Sequence, residues 1–168
     1  MEAHRIFRHL FCLSVSFWLI TGLVVGCAGI KKTELPDLPE NLPPAIELEA
    51  VPFYPQSDYQ CGPSTLAMAL TYSDYPITPE ALESQVYTPS RKGSLQMAMI
   101  GATRRHGRIA YPIFSLQEVW AEIAAGNPLI VLQNLGFSWI PVWHYALLIG
   151  YDFAENTVIL RSGITSRK

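Results

Sequence analysis

At Gly126-Asn127-Pro128 the chain changes character, and that change restricts its fold more than any other feature. Before it the sequence carries helix signals. From Cys61 it reads CGPSTLAMALTYSD, with Pro63 suited to a first helical turn and Leu66 to Leu70 continuing in good helix formers. Thr78-Pro79-Glu80 supplies a cap, a proline at the first helical position and an early acid for a second helix. Ser94 is expected to cap a third helix running to Arg105 or His106 and stopped by Gly107. Ser115 with Glu118 forms a capping box for a fourth. After the break the runs are β-branched and short: Leu129 to Leu132, His144 to Tyr151, and Thr157 to Leu160. The last two are separated by a turn over Asp152 to Asn156 and are expected to form a hairpin. Helices first and strands second predict an α+β fold, with N-terminal helices packed on a C-terminal antiparallel sheet.

The first fifty residues follow other rules. Charged residues are 15% of the chain against an average of about 25%, and much of the apolar excess lies in the first thirty positions. Arg5 and Arg8 precede an uncharged stretch from Leu10 to Gly26, which reads as a secretory signal over 1–26, the competing reading being an uncleaved anchor. The stretch ends in Val24-Val25-Gly26-Cys27, which resembles the bacterial lipobox. That resemblance implies a diacylglycerol thioether on Cys27 and stable attachment through several acyl chains. Ala28 after the cysteine resembles lipoproteins of the outer membrane, so the expected location is the bacterial cell envelope, facing the periplasm. Pro36, Pro39, Pro43 and Pro44 then make residues 27–50 an extended linker, and 51–168 is left as the folded domain. A net charge of −2 gives nucleic-acid binding no support.

The cysteines are Cys12, Cys27 and Cys61. With the first removed in the signal and the second lipidated, Cys61 is the one thiol of the exported protein. A helix N-terminus stabilises a thiolate, through its unpaired amides and the helix dipole, and Cys61 has that expected setting. Two histidines could serve it as a base. His106 precedes Gly107 at an expected helix end, where a cation simply complements the dipole. His144 opens an apolar strand, and a thiol and its base meet in space rather than in sequence.

The blocks Gln56-Ser57-Asp58-Tyr59-Gln60-Cys61-Gly62-Pro63 and His144-Tyr145-Ala146-Leu147-Leu148-Ile149-Gly150-Tyr151-Asp152 resemble the C39-type, papain-like cysteine peptidases, in particular free-standing lipid-anchored bacterial members. The resemblance spans about Val51 to Gly163. It implies a papain-like fold, Cys61 as nucleophile, His144 as general base, and Gln56 as a side-chain donor to the oxyanion, with Gln60 competing for that place. Gln56 stands five residues before the cysteine where six is commoner. Such enzymes place an Asp after the histidine strand to orient the imidazole; here Ser162 stands there, and Asp152 is the other candidate. They also continue with a further helix and strand, so 51–168 is read as a domain open to truncation at its C-terminus. The resulting expectation is a lipid-anchored cysteine peptidase or amide hydrolase acting on a peptide or protein, with no metal or other cofactor. The alternative is a weakened or inactive peptidase-like binding or scaffold lipoprotein, and a transglutaminase- or amidase-like activity is a third reading.

Overall fold

The computed structural model describes residues 41–164. The expected signal, Cys27 and most of the expected linker lie outside the described residues. Helix α1 (Cys61–Tyr72) contains no charged residue and is apolar or small nearly all round, so it has no face to offer to water. It is accordingly central: Gly62 to Met68 and Leu70 are all buried. Helix α2 (Pro79–Val86) starts where Thr78 Oγ1 accepts from the Ala81 N–H, and it turns Leu82 and Val86 inward. Helix α3 is Gln96–Arg105, and α4 (Leu116–Ala124) is capped by Ser115, whose Oγ accepts from the Glu118 N–H at 3.1 Å.

The main sheet is antiparallel and built on one long strand, β5 (Trp143–Asp152). Strand β4 (Leu129–Asn134) pairs with its first part, from Asn134 opposite Trp143 to Leu129 opposite Leu148. On the same edge β1 (Ala45–Glu47) pairs with its last part, Ala45 opposite Asp152 and Glu47 opposite Gly150. Strand β6 (Thr157–Arg161) occupies the other edge. A Cβ on Gly150 would collide with the Ile46 carbonyl, so the close approach of β1 needs glycine there.

The register of β5 with β6 shifts between Leu148 and Gly150. The irregularity reverses the alternation, as an extra residue in a strand must. Ala146 and Leu148 therefore share a cluster with Tyr151, Leu160 and the α4 residues Trp120 and Ile123. Leu147 and Ile149 face the opposite way, toward Met68 of α1, with Val51 and Ile159. Both faces of β5 are thus covered, which is why its run reads as continuously apolar rather than alternating. Leu66, Ala67 and Leu70 of α1 pack in turn with Leu82, Val86, Met99, Ala102 and Tyr145.

Two expectations change. The linker expected over 27–50 gives way at Ala45, because a three-residue strand gains its hydrogen bonds from β5 despite the prolines beside it. Ser94 does not cap α3: it lies in β3 (Gly93–Ser94), which pairs with β2 (Tyr87–Thr88) around a 3₁₀ turn, and Leu95 takes the cap position without a side-chain bond. The hairpin itself has no alternating pattern long enough to be read. The α+β architecture and the three C-terminal strands stand as expected, each strand a residue or two longer.

Leu147 is fully buried between α1 and the sheet. Leu147→Ala is expected to cost about 2–5 kcal/mol in urea denaturation. Val158→Ala, at a side chain 42% exposed, is expected to stay within about 0.5 kcal/mol of the parent.

Candidate functional site

Cys61 is the first residue of α1 and is the free cysteine of the described residues. A turn leads into it: the Gln60 N–H donates to the Ser57 carbonyl at 3.1 Å, and Tyr59 takes a left-handed conformation (φ 64). Gln60 is the cap residue but makes no side-chain cap bond; its amide donates instead to Glu83 of α2 at 3.0 Å. The neighbouring Gly62 is required sterically, since a Cβ there would collide with the Ser94 side chain. Half-buried, Cys61 packs against the cluster that contains Leu66, Met99 and Tyr145. Burial pushes the Tyr145 phenol above its ordinary value of 10.0, and the negative charge of a Cys61 thiolate adds to the shift, so phenol and sulfur sit close enough to sense each other.

His144 is the second residue of β5, opposite Gln133 of β4. Its Nε2 lies 2.9 Å from the Oγ of Ser162, which follows β6 and is 3% exposed. Asp152, the other candidate for this contact, stands at the far end of β5. Its carboxylate accepts the N–H groups of Ala154 and Glu155 and closes the β5–β6 turn. Ser162 is therefore the residue that meets the imidazole.

Gln56 lies in the loop before Cys61. Its side chain is 7% exposed and its polar atoms are engaged within the fold. Nε2 donates to Thr65 Oγ1 at 3.1 Å and lies 3.5 Å from the Tyr145 carbonyl, which it also meets as a donor. Oε1 accepts the Gly163 N–H at 2.9 Å, and the Gln56 N–H donates to the Gly163 carbonyl at 2.9 Å. These contacts form a buried polar brace. Thr65 completes it by donating to the Tyr145 carbonyl at 3.3 Å.

Two residues were missed by the sequence reading. Thr65 lies one turn after Cys61 on α1, and a Thr inside an apolar helix gives no signal until its partners are known. Tyr145 reads as an ordinary strand aromatic, yet its side chain packs beside Cys61 and its carbonyl receives the brace. Tyr145 also lines a groove of about 860 Å³ with Met99, Ile109, Phe114 and Leu132. His106 takes no part: its Nδ1 bonds the Tyr75 hydroxyl at 3.1 Å.

The brace joins α1, the start of β5 and the end of β6 through buried polar atoms, so removing one partner strands the others. Thr65→Val and Gln56→Ala are each expected to lower stability by about 1–3 kcal/mol in chemical denaturation. An unchanged midpoint for Gln56→Ala would show that its amide is not structural.

Residues 48–166 match the model of the Peptidase_C39 like family, a span that takes in both sequence blocks and every element from the end of β1 to the end of β6. No curated protein and no solved structure gives a significant match. The chain therefore belongs to the Peptidase_C39 like family, and its α+β fold is the papain-like one that the two blocks led us to expect.

Proposed function

We propose that the protein is a lipid-anchored cysteine peptidase or amide hydrolase working with a Cys61–His144 pair. What supports the reading is a half-buried thiol on the first turn of a buried helix, together with a histidine on β5 held through Nε2 by Ser162. With Nε2–H donating to Ser162 Oγ, the lone pair resides on Nδ1, and that nitrogen takes the thiol proton. The thiolate attacks the scissile carbonyl carbon, and the C–S bond forms as the carbonyl π pair moves onto oxygen. Backbone N–H groups at the start of α1 stabilise this oxyanion; one such donor is typically worth about 2.7–4 kcal/mol. Imidazolium returns its proton to the leaving nitrogen as the C–N bond breaks, leaving a thioester. His144 then deprotonates a water that attacks the thioester, the C–S bond breaks, and the thiol is restored.

A second reading is a binding or scaffold protein on a weakened peptidase frame. One observation favours it: Ser162 supplies a neutral partner where an acid would balance imidazolium charge. A carboxylate at 162 would stabilise the imidazolium and fix the tautomer. Ser162→Asp is therefore expected to speed alkylation of Cys61 at neutral pH several-fold. The check is the rate of iodoacetamide labelling, followed by mass spectrometry. A Cys61 inert in both chains would favour the scaffold.

The anchor belongs to the same proposal and is supported by the lipobox-like Val24-Val25-Gly26-Cys27. Intact-mass analysis of the membrane fraction is expected to give a chain beginning at an acylated Cys27. A protein that still starts at Met1 would remove the lipid anchor from the reading and leave the uncleaved apolar anchor in its place.

A further inference from the structure

From Pro128 to Tyr151 the sequence holds no Asp, Glu, Lys or Arg. The middle of that run, residues 135–143, joins β4 to β5 and is not used by the chemistry above. It carries Leu135, Phe137, Trp139, Ile140, Val142 and Trp143, each more than half exposed, Trp139 reaching 74%. Six large apolar side chains on one connection form a patch of the kind that marks an interaction surface.

The connection is built, not loose. The Phe137 and Trp139 rings stack with centroids 4.9 Å apart and planes within 7°. The Leu135 N–H donates to the Val142 carbonyl at 2.8 Å, and the Ile140 N–H to the Phe137 carbonyl at 3.1 Å. Asn134 Oδ1 accepts both the Gly136 and the Val142 N–H, at 3.0 and 2.9 Å, while its Nδ2 donates to the Phe137 carbonyl at 3.4 Å. Pro141 has no N–H to satisfy. A Cβ on Gly136 would collide with the Ile140 carbonyl, so the turn is as tight as its backbone allows.

That polar accounting separates two occupants. A protein-binding patch is ringed by polar and charged groups that bond to the partner. Here the uncharged run reaches well beyond the connection on both sides, and the Asn134 amide is spent inside the turn. The N–H groups of Leu135, Gly136, Ile140 and Val142 bond within the turn, so the segment strands fewer donors in an apolar medium than an open loop would. Tryptophan side chains favour the headgroup level of a bilayer. We propose that the 135–143 connection inserts its aromatic tip into the interfacial zone of a lipid bilayer, bringing the end of β5 that carries His144 to the membrane surface.

The proposal rests on the lipid-anchored reading only for the nearness of the bilayer. The geometry permits both attachments. Ala45 pairs with Asp152, at the opposite end of β5 from Trp143, about 30 Å along the strand. The eighteen residue steps from Cys27 to Ala45 reach about 56 Å if extended as polyproline II. An anchor at Cys27 and the tip can thus sit in one leaflet.

The test uses the full chain carrying Trp18→Phe, so that the apolar N-terminal stretch contributes no emission, reconstituted in phosphatidylethanolamine–phosphatidylglycerol vesicles carrying bromine near the glycerol end of the acyl chains, and tryptophan emission is read. The expected result is quenching of part of the emission. That quenching should fall about threefold or more in Phe137→Asp/Ile140→Asp, with the melting temperature unchanged. It should vanish in the conservative pair Trp139→Phe/Trp143→Phe, which assigns it to the tip even if the acidic pair folds poorly. Quenching that persists in the Trp139→Phe/Trp143→Phe chain, or emission that is not quenched while the protein stays on the vesicles, would overturn the proposal; the second outcome leaves the tip to water or to a protein. The same measurement on Cys61→Ser keeps membrane insertion apart from catalysis, so failure of one reading does not entail failure of the other.

Discussion

The burial of α1 against β5 is the contact on which the other positions depend. Helix α1 brings Leu66, Met68 and Leu70 to the interior, and β5 meets it with Tyr145, Leu147 and Ile149. Each fully buried side chain of this size contributes about 1.5–3 kcal/mol, so packing supplies most of the energy at this interface. Packing alone, however, does not fix how far a smooth apolar helix slides along a strand. The polar node of Gln56, Thr65 and the Tyr145 carbonyl does, because sliding would leave buried donors unpaired. The node sits one turn from Cys61, so the fixed register is also the register of the thiol.

The irregularity in β5 has a similar double effect. Up to Leu148 one face serves α4 and the other serves α1. The shift near Ile149 sends Tyr151 to the α4 side, where it stacks with Phe153 at 4.2 Å and meets the edge of Trp120 at 5.5 Å. The sheet is closed at that end by aromatics and at the other by the His144–Ser162 contact. The Gln56–Gly163 pair of backbone and side-chain bonds holds the segment that carries Ser162, which couples the loop before Cys61 to the partner of His144.

Much of this was legible because its signals are local. The Thr78 and Ser115 caps depend on residues three positions away, and both form as the sequence implies. The break at Gly126-Asn127-Pro128 marks where helices end and strands begin. What was not legible depends on distant partners. Strand β1 exists only because β5 offers hydrogen bonds to three residues that have no strand pattern of their own. Ser94 looked like a cap, but close packing against Gly62 places it in a strand and leaves its Oγ buried without a protein partner. Gln56 could be located at the site from its motif, whereas the direction of its amide is decided by Thr65 and Gly163, nine and 107 residues away.

The pairing of His144 with a serine rather than an acid sets the energetic character of the site. A neutral hydrogen bond contributes about 0.5–1.5 kcal/mol net, and one involving a charged group about 1.5–3 kcal/mol. The shortfall is near 1.4 kcal/mol, a factor of about ten in the population of any state that needs an imidazolium. Such a loss slows a thiol–imidazole pair without removing its chemistry, because orientation of the ring and the backbone donors at the start of α1 are untouched. Orientation is the part that Ser162 can still supply. Buried at 3% exposure and beside Gly163, which is held by Gln56, it offers Nε2 a fixed partner. On the proposed reading the site is better built for geometry than for charge, and a substrate that strengthens electrostatics by excluding water from the cleft would recover part of the difference.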